Sequence, residues 1–147
     1  MTNSRSHRPE EAAEIAVFTP GRDILLLLED NECIARMVGL VLRGMGLQIV
    51  WCPTGADALA QHARHAGRVA LILADCRLPD MDGREVCRQL RLREPDLPVL
   101  VTSGNVALRG LAPLEEAPLV GFLPKPYSPA EIISRVRGLL LAARAAA

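Results

Sequence analysis

Apolar residues along this chain follow two alternating patterns. Ile24-Leu-Leu-Leu-Leu28 is apolar at every position and stops at Glu29-Asp30. A strand of a parallel sheet has this pattern because helices cover both of its faces. Ile34, Met37, Val38, Val41, Leu42 and Met45 then recur at helical spacing, which predicts a one-faced helix ended by Gly44-Met-Gly46. Gln48–Trp51 predicts a second strand, and residues 54 to 65 an Ala-rich second helix with Thr54 as its N-cap. Val69–Ala74 is a third buried run, closing on Asp75, and the turn-rich Leu78-Pro-Asp-Met-Asp-Gly83 leads into a helix over Arg84–Arg93. Pro98–Val101 predicts a fourth strand before Thr102 and Ser103, and Leu119–Leu123 a fifth before Lys125. Ser128-Pro-Ala-Glu131 is a capping box with proline at the first helical position. It opens a last helix striped by Ile132, Ile133, Val136, Leu139, Leu140 and Ala143. Between Ser103 and Lys125, Pro113 and Pro118 confine any helix to roughly residues 106 to 112. Residues 105 to 118 are therefore expected to be the least protected part of the domain.

Five short strands alternating with helices predict a doubly wound α/β domain with helices on both faces of a parallel sheet. The polar start of the chain carries no sustained period, so residues 1–22 are expected to form a flexible leader and residues 23–145 the domain. At 147 residues the chain is expected to form one domain and no second one.

Composition narrows the function. Half of the residues are hydrophobic and 23% are charged, which excludes wholesale disorder. Phe18, Trp51, Phe122 and Tyr127 are the only aromatics, so the core is aliphatic. Seventeen basic residues balance 17 acidic ones, which argues against a general nucleic-acid binder. Apolar runs such as Val69–Ala74 fall far short of the roughly 20 residues that span a bilayer, and the N-terminus lacks the apolar stretch of a signal peptide. Cys33, Cys52, Cys76 and Cys87 show no C-x-x-C spacing, so a zinc site or redox pair is not expected and a cytoplasmic location is. Of the 17 basic residues only Lys125 is lysine, which suggests a position that needs a compact ammonium.

In such sheets, function collects outside the carboxyl ends of the strands. The polar residues there are Glu29 and Asp30 after the first strand, Asp75 on the third, Ser103 on the fourth and Lys125 after the fifth. Any one of these acids would serve as an ordinary helix cap. Three carboxylates together repel one another unless a cation neutralises them, and an all-oxygen donor set suits Mg2+ before Ca2+. A carboxylate nucleophile, a hard cation and an ammonium are the parts of a phosphoryl-transfer site.

These residues resemble those of response-regulator receiver domains. Asp75-Cys-Arg-Leu-Pro-Asp-Met-Asp-Gly83 is similar to the family's phosphoacceptor loop, and Glu29-Asp30 to its acidic pair. Pro98-Val-Leu-Val-Thr-Ser-Gly104 is similar to its fourth strand with the switch hydroxyl, and Phe122-Leu-Pro-Lys-Pro126 to its switch aromatic and Lys-Pro signature. The resemblance covers residues 23 to 145 and implies a flavodoxin-like strand order of 2-1-3-4-5. It implies phosphorylation of Asp75 by a histidine kinase or histidine phosphotransfer protein, and Mg2+ held by Asp30, Asp75 and the backbone carbonyl of Arg77, with Glu29 acting partly through water. It further implies that Lys125 contacts the phosphoryl group, that Ser103 and Phe122 move as a coupled switch, and that the Lys125–Pro126 bond is cis. Such a chain is a signalling phosphoacceptor that assists its own phosphorylation and dephosphorylation, not an enzyme acting on a separate substrate. It is expected to be a stand-alone regulator, without an output domain, that signals through protein contacts; a homodimer stays open, as does a degenerate receiver serving as a phosphorylation-independent adaptor.

Other signals are discounted. Gly44-Met-Gly46 is no dinucleotide fingerprint, because it follows a helix and lacks the third glycine. His62 and His65 are expected at the surface, and Arg84, Arg88, Arg91 and Arg93 on a solvated helix face. Cys76 is expected to be buried, not reactive. The resemblance also implies that Arg77 and Asn105 border the phosphoryl group. A haloacid-type hydrolase would need a carboxylate where Arg77 stands, and a flavodoxin-like cofactor binder shares the fold alone.

Overall fold

The computed structural model describes residues 19–104 and 117–146. The expected leader up to residue 18, Asn105, and the short helix expected at 106 to 112 lie outside the described residues. Within them the elements run β1 (Ile24–Leu28), α1 (Glu32–Arg43), β2 (Gln48–Cys52), α2 (Gly55–Arg64), β3 (Val69–Asp75), α3 (Gly83–Arg93), β4 (Val99–Ser103), β5 (Val120–Pro124) and α4 (Pro129–Ala146). The strands form one parallel sheet in the order β2-β1-β3-β4-β5, as the resemblance implies.

The sheet divides the core in two, and alternation along each strand assigns its residues to a side. Ile24, Leu26, Leu28, Ile72, Ala74, Val99 and Val101 pack with Ala58 of α2 and Val86, Cys87 and Leu90 of α3. Leu25, Leu27, Leu71, Leu73, Leu100 and Leu123 pack with Ala35, Val38 and Leu42 of α1 and Ile132, Val136 and Leu140 of α4. Every residue of β1 is buried, which accounts for its unbroken apolar run. Each such leucine contributes roughly 1.5–3 kcal/mol by leaving water.

Capping side chains set the helix starts. Asn31 accepts from the Ile34 N–H, Thr54 from Asp57, Asp82 from Arg84 and Ser128 from Glu131. Among the described residues, no helix is long and apolar enough to cross a membrane.

Two expectations fail at the edge opposite the candidate site and on α3. His62 is 4% exposed, and its Nε2 lies 3.0 Å from Glu94 Oε1, a partner 32 residues away that no local spacing reveals. The same Glu94 carboxylate takes the Arg22 guanidinium at 2.7 Å, while Arg22 also donates to the Val69 carbonyl. Arg84 is not solvated: it is 8% exposed, and its guanidinium closes on Asp82 with bonds of 3.1 and 2.7 Å. Arg91 is half-buried and donates to the Leu97 carbonyl at 2.7 Å. Arg88 and Arg93 are exposed, as expected.

Candidate functional site

Three strands of the sheet, β1, β3 and β5, deliver the site. β1 ends at Leu28, so the chain turns at Glu29-Asp30, and the Asn31 cap starts α1 immediately after. β3 ends on Asp75 itself, and β5 ends at Pro124, one residue before Lys125. Since β1 and β5 flank β3 and β4 in a parallel sheet, these ends share one edge.

Side-chain geometry brings four of the expected residues together. Lys125 Nζ donates to Asp75 Oδ2 at 2.8 Å and to Glu29 Oε2 at 3.3 Å. Oxygen atoms of Glu29, Asp30 and Asp75 all lie within 4.8 Å of one another. The three differ in exposure: Glu29 is 4% exposed, Asp75 half-buried and Asp30 open to solvent. Asp75 Oδ1 accepts from the Arg77 N–H at 3.1 Å, and Glu29 Oε1 accepts from the Asn31 N–H at 3.2 Å. The Lys125–Pro126 bond is cis.

Electrostatics follow from this packing. Burial pushes the Glu29 carboxyl above its ordinary range; the Lys125 ammonium pulls the other way and the Asp75 charge adds to the rise. Burial pulls the Lys125 ammonium down, but its hydrogen bond to Asp75 and the charges of Asp75 and Glu29 outweigh that, and the net direction is up. The lysine is therefore held charged beside the carboxylates. The ammonium bonds to only two of the three acids, so the cluster has donor capacity left for a hard cation, and its all-oxygen composition fits Mg2+.

Ser103 ends β4 beside this cluster, its carbonyl accepting from the Lys125 N–H at 2.8 Å. Phe122 pairs with Val101 and lies half-buried against the core on the α2–α3 side. Arg77 is exposed and bridges to Asp82 across the loop after β3. Cys76 is buried as expected. Burial drives its thiol up, against downward pulls from Arg84 and from a hydrogen bond with Ser103.

Several structural contributors were not legible in the sequence. Gly83 belongs to the recognised loop, but its need is steric: a Cβ there would overlap the carbonyl oxygen of Asp75, while its N–H donates to the Cys76 carbonyl at 2.9 Å. Asp80 accepts from the N–H groups of Gly55 and Ala56 at 2.8 and 2.9 Å, tying the loop to the start of α2. Trp51 donates its indole N–H to the Glu29 carbonyl at 2.6 Å. A loop acid 25 residues from a helix start, or an indole on a neighbouring strand, leaves no periodic signal.

Known proteins agree with this architecture. The chain is 33% identical over 116 residues to the sensory transduction protein RegX3 of Mycolicibacterium smegmatis, covering 79% of this chain and 50% of that protein. It is 30% identical over 132 residues to the sensor kinase CckA of Brucella abortus, covering 89% of this chain and 14% of the kinase. The chain thus spans half or less of the length of these curated relatives. Among solved structures, a CheY-like response regulator receiver domain protein from Methanospirillum hungatei superposes with a TM-score of 0.77 at 20% identity, over 85% of this chain and 98% of that one, a likeness of fold. The profile of the response regulator receiver domain matches residues 25–137. That match begins in β1 and ends inside α4, so it takes in the whole sheet, and the chain belongs to the response regulator receiver domain family.

Proposed function

We propose that Asp75 accepts a phosphoryl group from the phosphohistidine of a sensor histidine kinase or histidine phosphotransfer protein, in a Mg2+-dependent reaction, and that the phosphorylated chain signals through protein contacts. The observation that carries this reading is the Asp75 carboxylate at the end of β3, held 2.8 Å from the chain's only lysine and within 4.8 Å of two further acids. Glu29, Asp30 and Asp75, with the Arg77 backbone carbonyl, would hold the Mg2+. When bound, the ion supplies positive charge to the clustered carboxylates and the incoming phosphoryl oxygens.

The protein's own groups account for the rest. An Asp75 carboxylate oxygen attacks phosphorus; the new O–P bond forms as the N–P bond of phosphohistidine breaks, its electron pair leaving with the imidazole. Lys125 is kept protonated by Asp75 and Glu29, so it meets the phosphoryl oxygens as a cation. Water later attacks the phosphorus, returning the carboxylate and inorganic phosphate. Ser103 turns its hydroxyl toward the phosphoryl group, and Phe122, only half-buried beside Val101, moves with it.

Asp75→Asn tests the reading. The amide is a poor nucleophile and removes a charge from the metal site, so phosphoryl uptake from acetyl phosphate with Mg2+ is expected to vanish. Undiminished uptake by the variant would remove Asp75 from the phosphoacceptor role.

A further inference from the structure

We infer that Trp51 is a positioning residue for the acidic pair: its indole N–H orients the peptide plane between Glu29 and Asp30 and so sets the affinity of the site for Mg2+. The inference rests on the metal reading above and concerns how this chain prepares that site.

β1 stops at Leu28, so Glu29 and Asp30 lie beyond the last sheet pairing of their own strand. Two bonds from β2 nevertheless hold Glu29. Its N–H donates to the Cys52 carbonyl at 3.2 Å, and its carbonyl accepts from Trp51 Nε1 at 2.6 Å. β2 thus grips Glu29 by the backbone on both sides. The side chain is fixed as well, with one oxygen on the Asn31 N–H and the other on Lys125.

The carbonyl bond reaches further than Glu29. The Glu29 carbonyl and the Asp30 N–H belong to one planar peptide unit, so a bond that fixes the carbonyl also fixes the orientation from which Asp30 departs. Asp30 is exposed, in contrast to its buried neighbour. Packing does little to orient an exposed carboxylate, and the backbone beneath it carries correspondingly more of that task. The indole is itself 41% exposed, more than core packing requires of so large a side chain, whereas its N–H is engaged. Trp51 is therefore better explained by the bond it donates than by the area it buries.

Trp51 is the chain's only tryptophan, so replacing tryptophan with its sulfur isostere benzothienylalanine during expression alters this position alone. The isostere keeps the shape of the ring and deletes the donor. Mg2+ affinity, measured by calorimetry on the full chain, is expected to fall roughly three- to tenfold, the range for losing one hydrogen bond to a metal-binding segment. Trp51→Phe is expected to lose at least as much. Wild-type affinity in the isostere, with only the metal-free unfolding midpoint lowered, would make the indole merely structural and overturn the inference. Failure of the wild-type chain to bind Mg2+ would overturn the metal reading itself, and the role of Trp51 with it.

Discussion

At the scale of single residues, the site is set by an imbalance: three carboxylates cluster together, and one ammonium bonds to two of them. Burial and the Asp75 charge hold the Glu29 pKa above the ordinary 4.5 despite Lys125. The folded chain therefore keeps a proton on Glu29 that the unfolded chain has already released. In the metal-free protein, stability from this group is present below pH 4.5 and lost as pH rises through the raised folded value. Mg2+ competes with that proton, so its stabilising effect grows over the same window. Denaturant unfolding of the wild type, referenced to Glu29→Gln, is expected to show a stability difference that declines with pH without Mg2+ and rises with pH in its presence. A difference flat in pH under both conditions would contradict this. The acids and the lysine were legible in the sequence because each ends an apolar run. The burial of His62 is not legible because its partner Glu94 lies 32 residues away, whereas Arg84 has its partner Asp82 two residues before it, a local pair that helical spacing does not mark as buried.

At the scale of elements, periodicity located all nine described strands and helices, with ends shifted by only a few residues. β4 begins at Val99 instead of Pro98, whose missing N–H cannot join a ladder, and β5 runs on to Pro124. The loop from Cys76 to Asp82 was legible as a turn, but its role as a joint was not. It is sewn to α2 by Asp80 and pressed against Asp75 by Gly83. Gly83→Ala would force a methyl group into the Asp75 carbonyl. It is expected to destabilise the fold by about 1–3 kcal/mol and to slow phosphoryl uptake as well, because the backbone that carries Asp75 must shift. Chemical denaturation and uptake from acetyl phosphate measure the two effects. A stable Gly83→Ala variant with normal uptake would show that the contact can relax at no cost.

At the scale of the whole molecule, the two edges of the sheet do different work. The carboxyl edge holds the acids and Lys125; the opposite edge holds Arg22, His62 and Glu94, which join the lead-in to β1, the end of α2 and the end of α3. Glu94→Ala strands a buried imidazole and is expected to cost about 1–3 kcal/mol in unfolding stability while leaving Mg2+ affinity unchanged. A parallel loss of affinity would mean that the edges are coupled. The carboxyl edge is where the functional reading stands or falls, and one chemical measurement addresses it directly. After incubation with acetyl phosphate and Mg2+, borohydride reduces an aspartyl phosphate to homoserine, and peptide mass spectrometry locates the altered residue. Homoserine at position 75, absent when Mg2+ is removed, is the result predicted here. Homoserine at another acid, or at position 75 in equal yield without Mg2+, would contradict the assignment of Asp75 as a metal-assisted phosphoacceptor.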